Sequence, residues 1–298
     1  MKDRYLYILL IIAMFLWGSS WPTSKILTTY TSPAVITFWR FLFVFLGSFS
    51  MLYFLKIPLK IPLQIFKWVF CAGILNGLYT FVFFIALRYG EAGKGGVLVT
   101  TMIPIFSYIF FMLSIVLRKN EKLIQRVGKS EILGLILGLA SGFCLLNLGS
   151  LDEIFGKFNI LFLLCALIWA SITLFTHKAK GAHPLTINLY INLISTLMFS
   201  WVLFLDEPFK VLTSDVKFWV NMFVVVVLST IIGTSIYYYA IHRLGGVKAN
   251  SFVLITPASA LICSFFILDE VPTVLTLIGC ILAIFAIYFI NIHSKKKS

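Results

Sequence analysis

The chain has 298 residues, 60% of them hydrophobic and 12% charged, with a mean hydropathy of +1.02 and a formal net charge of +13. Soluble domains carry about 25% charged residues, so this composition excludes a water-exposed fold. The excess of base invites a nucleic-acid reading, which its placement along the chain then removes.

A helix needs about 20 mostly apolar residues to cross roughly 30 Å of hydrocarbon. Ten runs meet that length, at roughly 5–25, 33–55, 67–88, 95–117, 131–149, 158–177, 184–205, 218–241, 246–268 and 273–292. Lys2 and Arg4 precede the first run as they would in a signal peptide. No Ala-x-Ala-like site follows, and the run recurs internally around Trp169, so it reads as the first span. The expectation is an all-α membrane protein of ten transmembrane helices.

In chain order, the first run contains Trp17-Gly18-Ser19, and Ser32-Pro33 opens the second, which carries Arg40. The third holds Asn76, Tyr79 and Thr80 and ends in Ala86-Leu87-Arg88. Pro104 lies in the fourth, and the fifth bears Gly134, Gly138 and Gly142 at four-residue spacing. The set then repeats. Trp169-Ala170-Ser171 lies in the sixth run and His183-Pro184 opens the seventh. The eighth carries Thr230, Thr234 and Tyr237 before Ala240-Ile241-His242, the ninth has Pro257, and the tenth has Gly279-x-x-x-Ala283. Each half, 1–149 and 150–298, therefore contains five runs. Because five is odd, the second half enters the membrane inverted, the usual build of a secondary transporter with its ligand between the repeats. The expected architecture is two inverted five-helix repeats around a central cavity.

With both termini on one side, 17 of the 24 basic residues fall on that side, including Lys56, Lys60, Arg118, Lys129 and Lys295, and six on the other. The positive-inside rule then makes both termini cytoplasmic. The base excess is a topology label, and no nucleic-acid partner is expected. The five cysteines all fall in spans without metal-knuckle spacing, and the four histidines are scattered near span ends, so neither a metal nor a cofactor is expected. The run Gly90-Glu91-Ala92-Gly93-Lys94-Gly95-Gly96 lacks the Gly-Lys-Ser/Thr of a phosphate loop and reads as a turn. All eleven acids lie at span ends or in loops. That pattern disfavours proton coupling through a mid-membrane carboxylate.

These residues also resemble a family. Trp17-Gly18-Ser19-Ser20, Arg40, the paired Pro104 and Pro257, and the acids Glu121 and Glu270 that follow the proline spans are similar to the EamA-type branch of the drug/metabolite transporter superfamily. The resemblance implies ten helices, cytoplasmic termini, alternating access and export of amino acids, metabolites or toxic compounds. Two features depart from the pattern. The second half has no arginine matching Arg40, its equivalent being near Ile191, and the loop holding Glu121 is longer than its counterpart.

The candidate substrate-binding residues are Trp17, Trp21, Arg40, Asn76, Tyr79, Thr80, Trp169, Thr230, Thr234 and Tyr237. Asn76 and Thr80 stand one turn apart, as do their repeat mates Thr230 and Thr234, and polar groups in a span turn toward protein or water. The two pairs either line a cavity or bond helices together. Arg40 either holds a solute carboxylate or plays a structural part. The tryptophans and tyrosines either wall a vestibule or pack. Pro104 and Pro257 each cancel a helix hydrogen bond and are candidate hinges or packed kinks. The Gly134–Gly138–Gly142 face admits a close helix, from the same chain or from a second copy in a homodimer.

The functional reading is a multi-pass transporter of the cytoplasmic (inner) membrane, exporting amino acids or related small metabolites by alternating access. Its partners are membrane lipids and a small solute: an amino acid, another metabolite or an organic cation. A channel or non-transporting scaffold is the alternative. An intramembrane lipid-modifying enzyme is a weaker one, because no nucleophile–base cluster is visible and no catalytic residue is assigned.

Overall fold

A computed structural model of the protein describes residues 3–117, 129–146, 159–179, 181–205, 207–244 and 252–289. Glu121 and its loop, and the segment 245–251, lie outside them. The described residues are helical without strands: α1 (Asp3–Leu27), α2 (Pro33–Phe54), α3 (Leu63–Tyr89), α4 (Ala92–Leu117) and α5 (Lys129–Leu146), followed by α6 (Asn159–Lys178) and α7 (Pro184–Met198). A rod we call α8 runs from Val216 to Leu244, and α9 (Ile255–Leu268) and α10 (Val274–Tyr288) complete the set. Six of these helices are long and apolar enough to cross a membrane, and three shorter apolar helices accompany them. Large apolar side chains such as Phe54, Phe204 and Phe266 point outward, as on a surface meant for lipid.

Local chemistry sets the helix starts. Ser32 and His183 sit at matching N-caps, each followed by a proline in the first turn, where no intrahelical N–H is needed. The Ser32 hydroxyl accepts from the Val35 N–H at 3.4 Å and His183 Nδ1 from the Leu185 N–H at 3.3 Å. Asp215 caps α8 through the Phe218 N–H at 2.9 Å and also accepts from the Tyr30 hydroxyl at 2.9 Å. Those two donors hold the Asp215 carboxyl below its ordinary value. This brace between the α1–α2 turn and α8 is therefore present at neutral pH and is lost as pH falls through the lowered value.

Packing partners exchange between the halves. Helix α1 lies along α9 as α6 lies along α4, and α3 packs on α6 as α8 packs on α1. Helix α7 touches α2 and α3, and α5 pairs with α10. Glycines set the closest approaches. A Cβ on Gly18 would meet Ser259 and Ala260 backbone atoms of α9, and one on Gly96 would meet Ala260 and the Trp21 ring. The glycine face of α5 is filled from the same chain: Gly138 meets Ile105 and Ala286, Gly142 meets Met102, and Ser141 donates to the Gly279 carbonyl at 2.7 Å.

Three local expectations change. The stretch read as a turn at 90–96 is a turn only at its first residues; α4 begins at Ala92, and its glycines let Phe162, Trp21 and Ala260 pack against the backbone. Pro257 lies in the first turn of α9, after a turn at residues 253 and 254, and so does not kink a continuous span. The Val253 carbonyl, four residues before Pro257, which has no N–H to donate to it, accepts the Thr256 N–H at 3.0 Å instead. Pro104, by contrast, lies inside α4. Finally, α8 is not uniform. Residues Val224–Gly233 form a π-helix, and Thr230 donates to the carbonyl of Val225, five residues back, at 2.7 Å. Such wide turns concentrate at functional sites.

Candidate functional site

The aromatic candidates form two groups, each joining the halves. Trp17 of α1 lies against Tyr237 of α8, ring centroids 5.0 Å apart, and its indole nitrogen would stand 3.0 Å from a Cβ on Gly233. The glycine at the end of the π segment admits the indole. In the other group Trp169 of α6 meets Tyr79 of α3 at 4.8 Å. Tyr79 stacks on Phe83 at 5.8 Å, Phe83 receives the edge of Trp21 at 5.0 Å, and Trp21 is buried. Arg40 closes this group from α2, its guanidinium 6.0 Å from the Phe83 ring and 5.8 Å from that of Phe84. Trp17 and its repeat mate Trp169 thus each pair with a tyrosine of the opposite half.

Phe83 is the residue that sequence reasoning missed. It sits in the middle of a group containing four candidates, yet as one phenylalanine among 30 it carries no signal by type. The repeat offset does mark it, because Ala86 matches Ala240 and Phe83 then falls opposite Tyr237.

The polar pairs part company. Asn76 donates to the Ser195 hydroxyl of α7 at 3.1 Å, and Ser195 donates to the Gly73 carbonyl at 2.8 Å. Thr80 is buried. Thr230 and Thr234 instead line a small cleft of about 10 Å³, room for about one water, with Ser48 and Met51 of α2 and Asn188 of α7. A second cleft, about 390 Å³, lies between the start of α2 and the end of α3 beside Arg88. Neither is walled by α1 or α6, the helices that carry Trp17, Trp21 and Trp169. Asn76→Ala should therefore cost stability, on the order of 0.5–1.5 kcal/mol for one interhelical bond, and leave solute affinity unchanged, whereas Thr234→Ala should weaken affinity. Thermal unfolding and binding measured on both variants check this; an affinity loss confined to Asn76→Ala reverses the assignment.

One end of the bundle is held by Glu270, in the connection between α9 and α10. Its Oε1 accepts from Lys25 Nζ of α1 at 2.6 Å and from the Ala92 N–H at 3.0 Å, and its Oε2 accepts from the Gly93 N–H at 2.9 Å. A carboxylate at the N-terminus of α4 meets free N–H groups and the positive end of the helix dipole. Asp269, in the left-handed region at φ 56°, turns the chain immediately before it. Among the described residues no group of three or more His, Cys, Asp or Glu side chains is placed to hold a metal.

Comparison with known proteins agrees with this architecture. A protein of Bacillus subtilis (strain 168) described as an uncharacterized transporter, YdfC, is 28% identical over 296 residues, covering 95% of this chain and 90% of its own length. A crystal structure of another protein superposes with a TM-score of 0.60 at 15% identity, covering 98% of this chain and 99% of that one, a likeness of fold. The EamA-like transporter family matches residues 4–147 and again 156–292. With both halves matched along nearly their full length, the chain belongs to the EamA-like transporter family.

Proposed function

We propose that this chain is a secondary transporter of the cytoplasmic membrane that exports amino acids or related small metabolites by alternating access. Its frame is two inverted five-helix repeats, 1–149 and 150–298, with both termini cytoplasmic. The observation that carries this reading is the exchange of packing partners: the first helix of each half lies on the third and fourth helices of the other. An arrangement whose two halves are equivalent but oppositely oriented has two states related by a pseudo-two-fold axis in the membrane plane, one open to each side. The double family match and the asymmetry of basic residues support the same frame.

The solute passes between the two aromatic groups, meeting Trp17 and Tyr237 on one wall and Tyr79 and Trp169 on the other. Thr230 and Thr234 on the π segment contribute hydroxyls, with Arg40 and Trp21 at the flank. Asn76 and Thr80 serve the α3 seam more than the solute. Pro104, inside α4, serves as one hinge, and the break before Pro257 gives α9 its counterpart.

Counterflow in proteoliposomes tests the reading, with a panel of amino acids, nucleobases and organic cations. A transporter exchanges preloaded for external solute saturably. A channel equilibrates solute without saturable exchange, a scaffold moves none, and an enzyme alters the solute chemically.

A further inference from the structure

We propose that the transported solute carries a carboxylate that seats on the Arg40 guanidinium. The inference rests on the transport reading and names its solute class. Arg40 lies seven residues beyond Pro33, roughly 10 Å into the helix at 1.5 Å per residue. Its Nε and Nη1 are buried and have no hydrogen-bond partner. The ion pairs among the described residues are Lys25–Glu270 and Lys210–Glu207, so no carboxylate of these residues neutralises Arg40. With Nε and Nη1 buried, most of the guanidinium has not been carried out to the headgroups as a snorkelling cation would carry it.

A guanidinium with two buried, unpartnered nitrogens is costly, and the rings of Phe83 and Phe84 at about 6 Å offset only part of that cost. The architecture does not require it. The corresponding position in the second half is near Ile191, which is buried and apolar, and that helix packs without a cation. A charge the fold can do without, at membrane depth and with unspent donors, is a site awaiting an anion. Phe83, Tyr79 and Trp169 continue from the guanidinium as a row of touching rings, so the acid has an apolar body to lay along them.

The test compares wild type with Arg40→Met and Arg40→Lys in proteoliposomes and by thermal unfolding, using matched acids and amines: 3-phenylpropionate with phenethylamine, and hexanoate with hexylamine. Wild type should exchange an acid in preference to its amine. Arg40→Met should lose acid exchange at least tenfold, and Arg40→Lys should keep part of it. Without solute, Arg40→Met should melt at or a few degrees above wild type, because an unpaired charge has been removed. A lower melting point in Arg40→Met makes the arginine structural and overturns the proposal, as does undiminished acid exchange. Exchange of amines in preference to acids overturns the carboxylate while leaving the transport reading intact. The melting comparison needs no solute, so it judges Arg40 even where transport itself fails.

Discussion

Glu270→Gln should open the end of the bundle where α1 finishes, the outer end in the proposed topology, and should slow transport. The substitution keeps the shape of the side chain and removes its charge. It weakens three bonds at once: to Lys25 and to the N–H groups of Ala92 and Gly93. Hydrogen bonds to a charged group contribute about 1.5–3 kcal/mol each, although Lys25 is 28% exposed and its share is reduced by solvent. A tenfold shift between two states requires about 1.4 kcal/mol, so even half of the expected loss moves the population by that much. Ser24 provides the probe. It is fully buried one residue before Lys25, so a cysteine there is shielded while the end is closed. With native cysteines replaced, Ser24→Cys should react with an external impermeant thiol reagent on the order of ten times faster in Glu270→Gln. The exchanged pair Lys25→Glu with Glu270→Lys should recover only part of the closure, because an ammonium cannot accept from the α4 N–H groups and is repelled by that helix end. Unchanged labelling in Glu270→Gln would mean a static brace that does not move in transport.

Much of this frame was legible in the sequence because a bilayer imposes a length rule. The expected runs at 33–55 and 158–177 became Pro33–Phe54 and Asn159–Lys178, and the prolines at 33 and 184 marked helix starts. Interhelical partners were much less legible. Asn76 and Thr230 occupy matching repeat positions, yet one bonds to Ser195 on α7 and the other to its own backbone across a π turn. Periodicity fixes which residues share a helix face but not which neighbour meets that face. Glu270 was visible as an acid after a proline-bearing span. Its partner Lys25, 245 residues away, was not. The break before Pro257 escaped for a different reason: a proline inside an apolar run fits a kink and a helix start equally well, and only the path of the backbone separates them.

The largest loss of stability should come from Gly18→Ala, a change of one methyl group. A Cβ at this position would stand 2.7 Å from the carbonyl carbon of Ser259 and 2.8 Å from the nitrogen of Ala260, both backbone atoms of α9. Backbone atoms inside a helix cannot step aside singly, so the whole seam between α1 and α9 must widen. The same movement strains the Ser259 hydroxyl's bond to the Met14 carbonyl, 3.0 Å long, and loosens Trp17 on the adjoining position. Overpacking typically costs about 1–3 kcal/mol, and a strained interhelical bond adds about 0.5–1.5 kcal/mol. Gly142→Ala is the control. Its nearest neighbour is the Met102 methyl at 2.8 Å, the far end of a flexible side chain that can swing away. Thermal unfolding in detergent should therefore show a clear fall in melting temperature for Gly18→Ala and little for Gly142→Ala. The repeat supplies a further check, since the residue matching Gly18 is Ala170, buried where α6 packs. That seam already accommodates a methyl, so Ala170→Gly should cost only about 1 kcal/mol through its added backbone freedom. Equal losses at Gly18 and Gly142 would show that the α1–α9 seam yields as easily as a methionine side chain. The close approach of the two halves would then not be what holds them together.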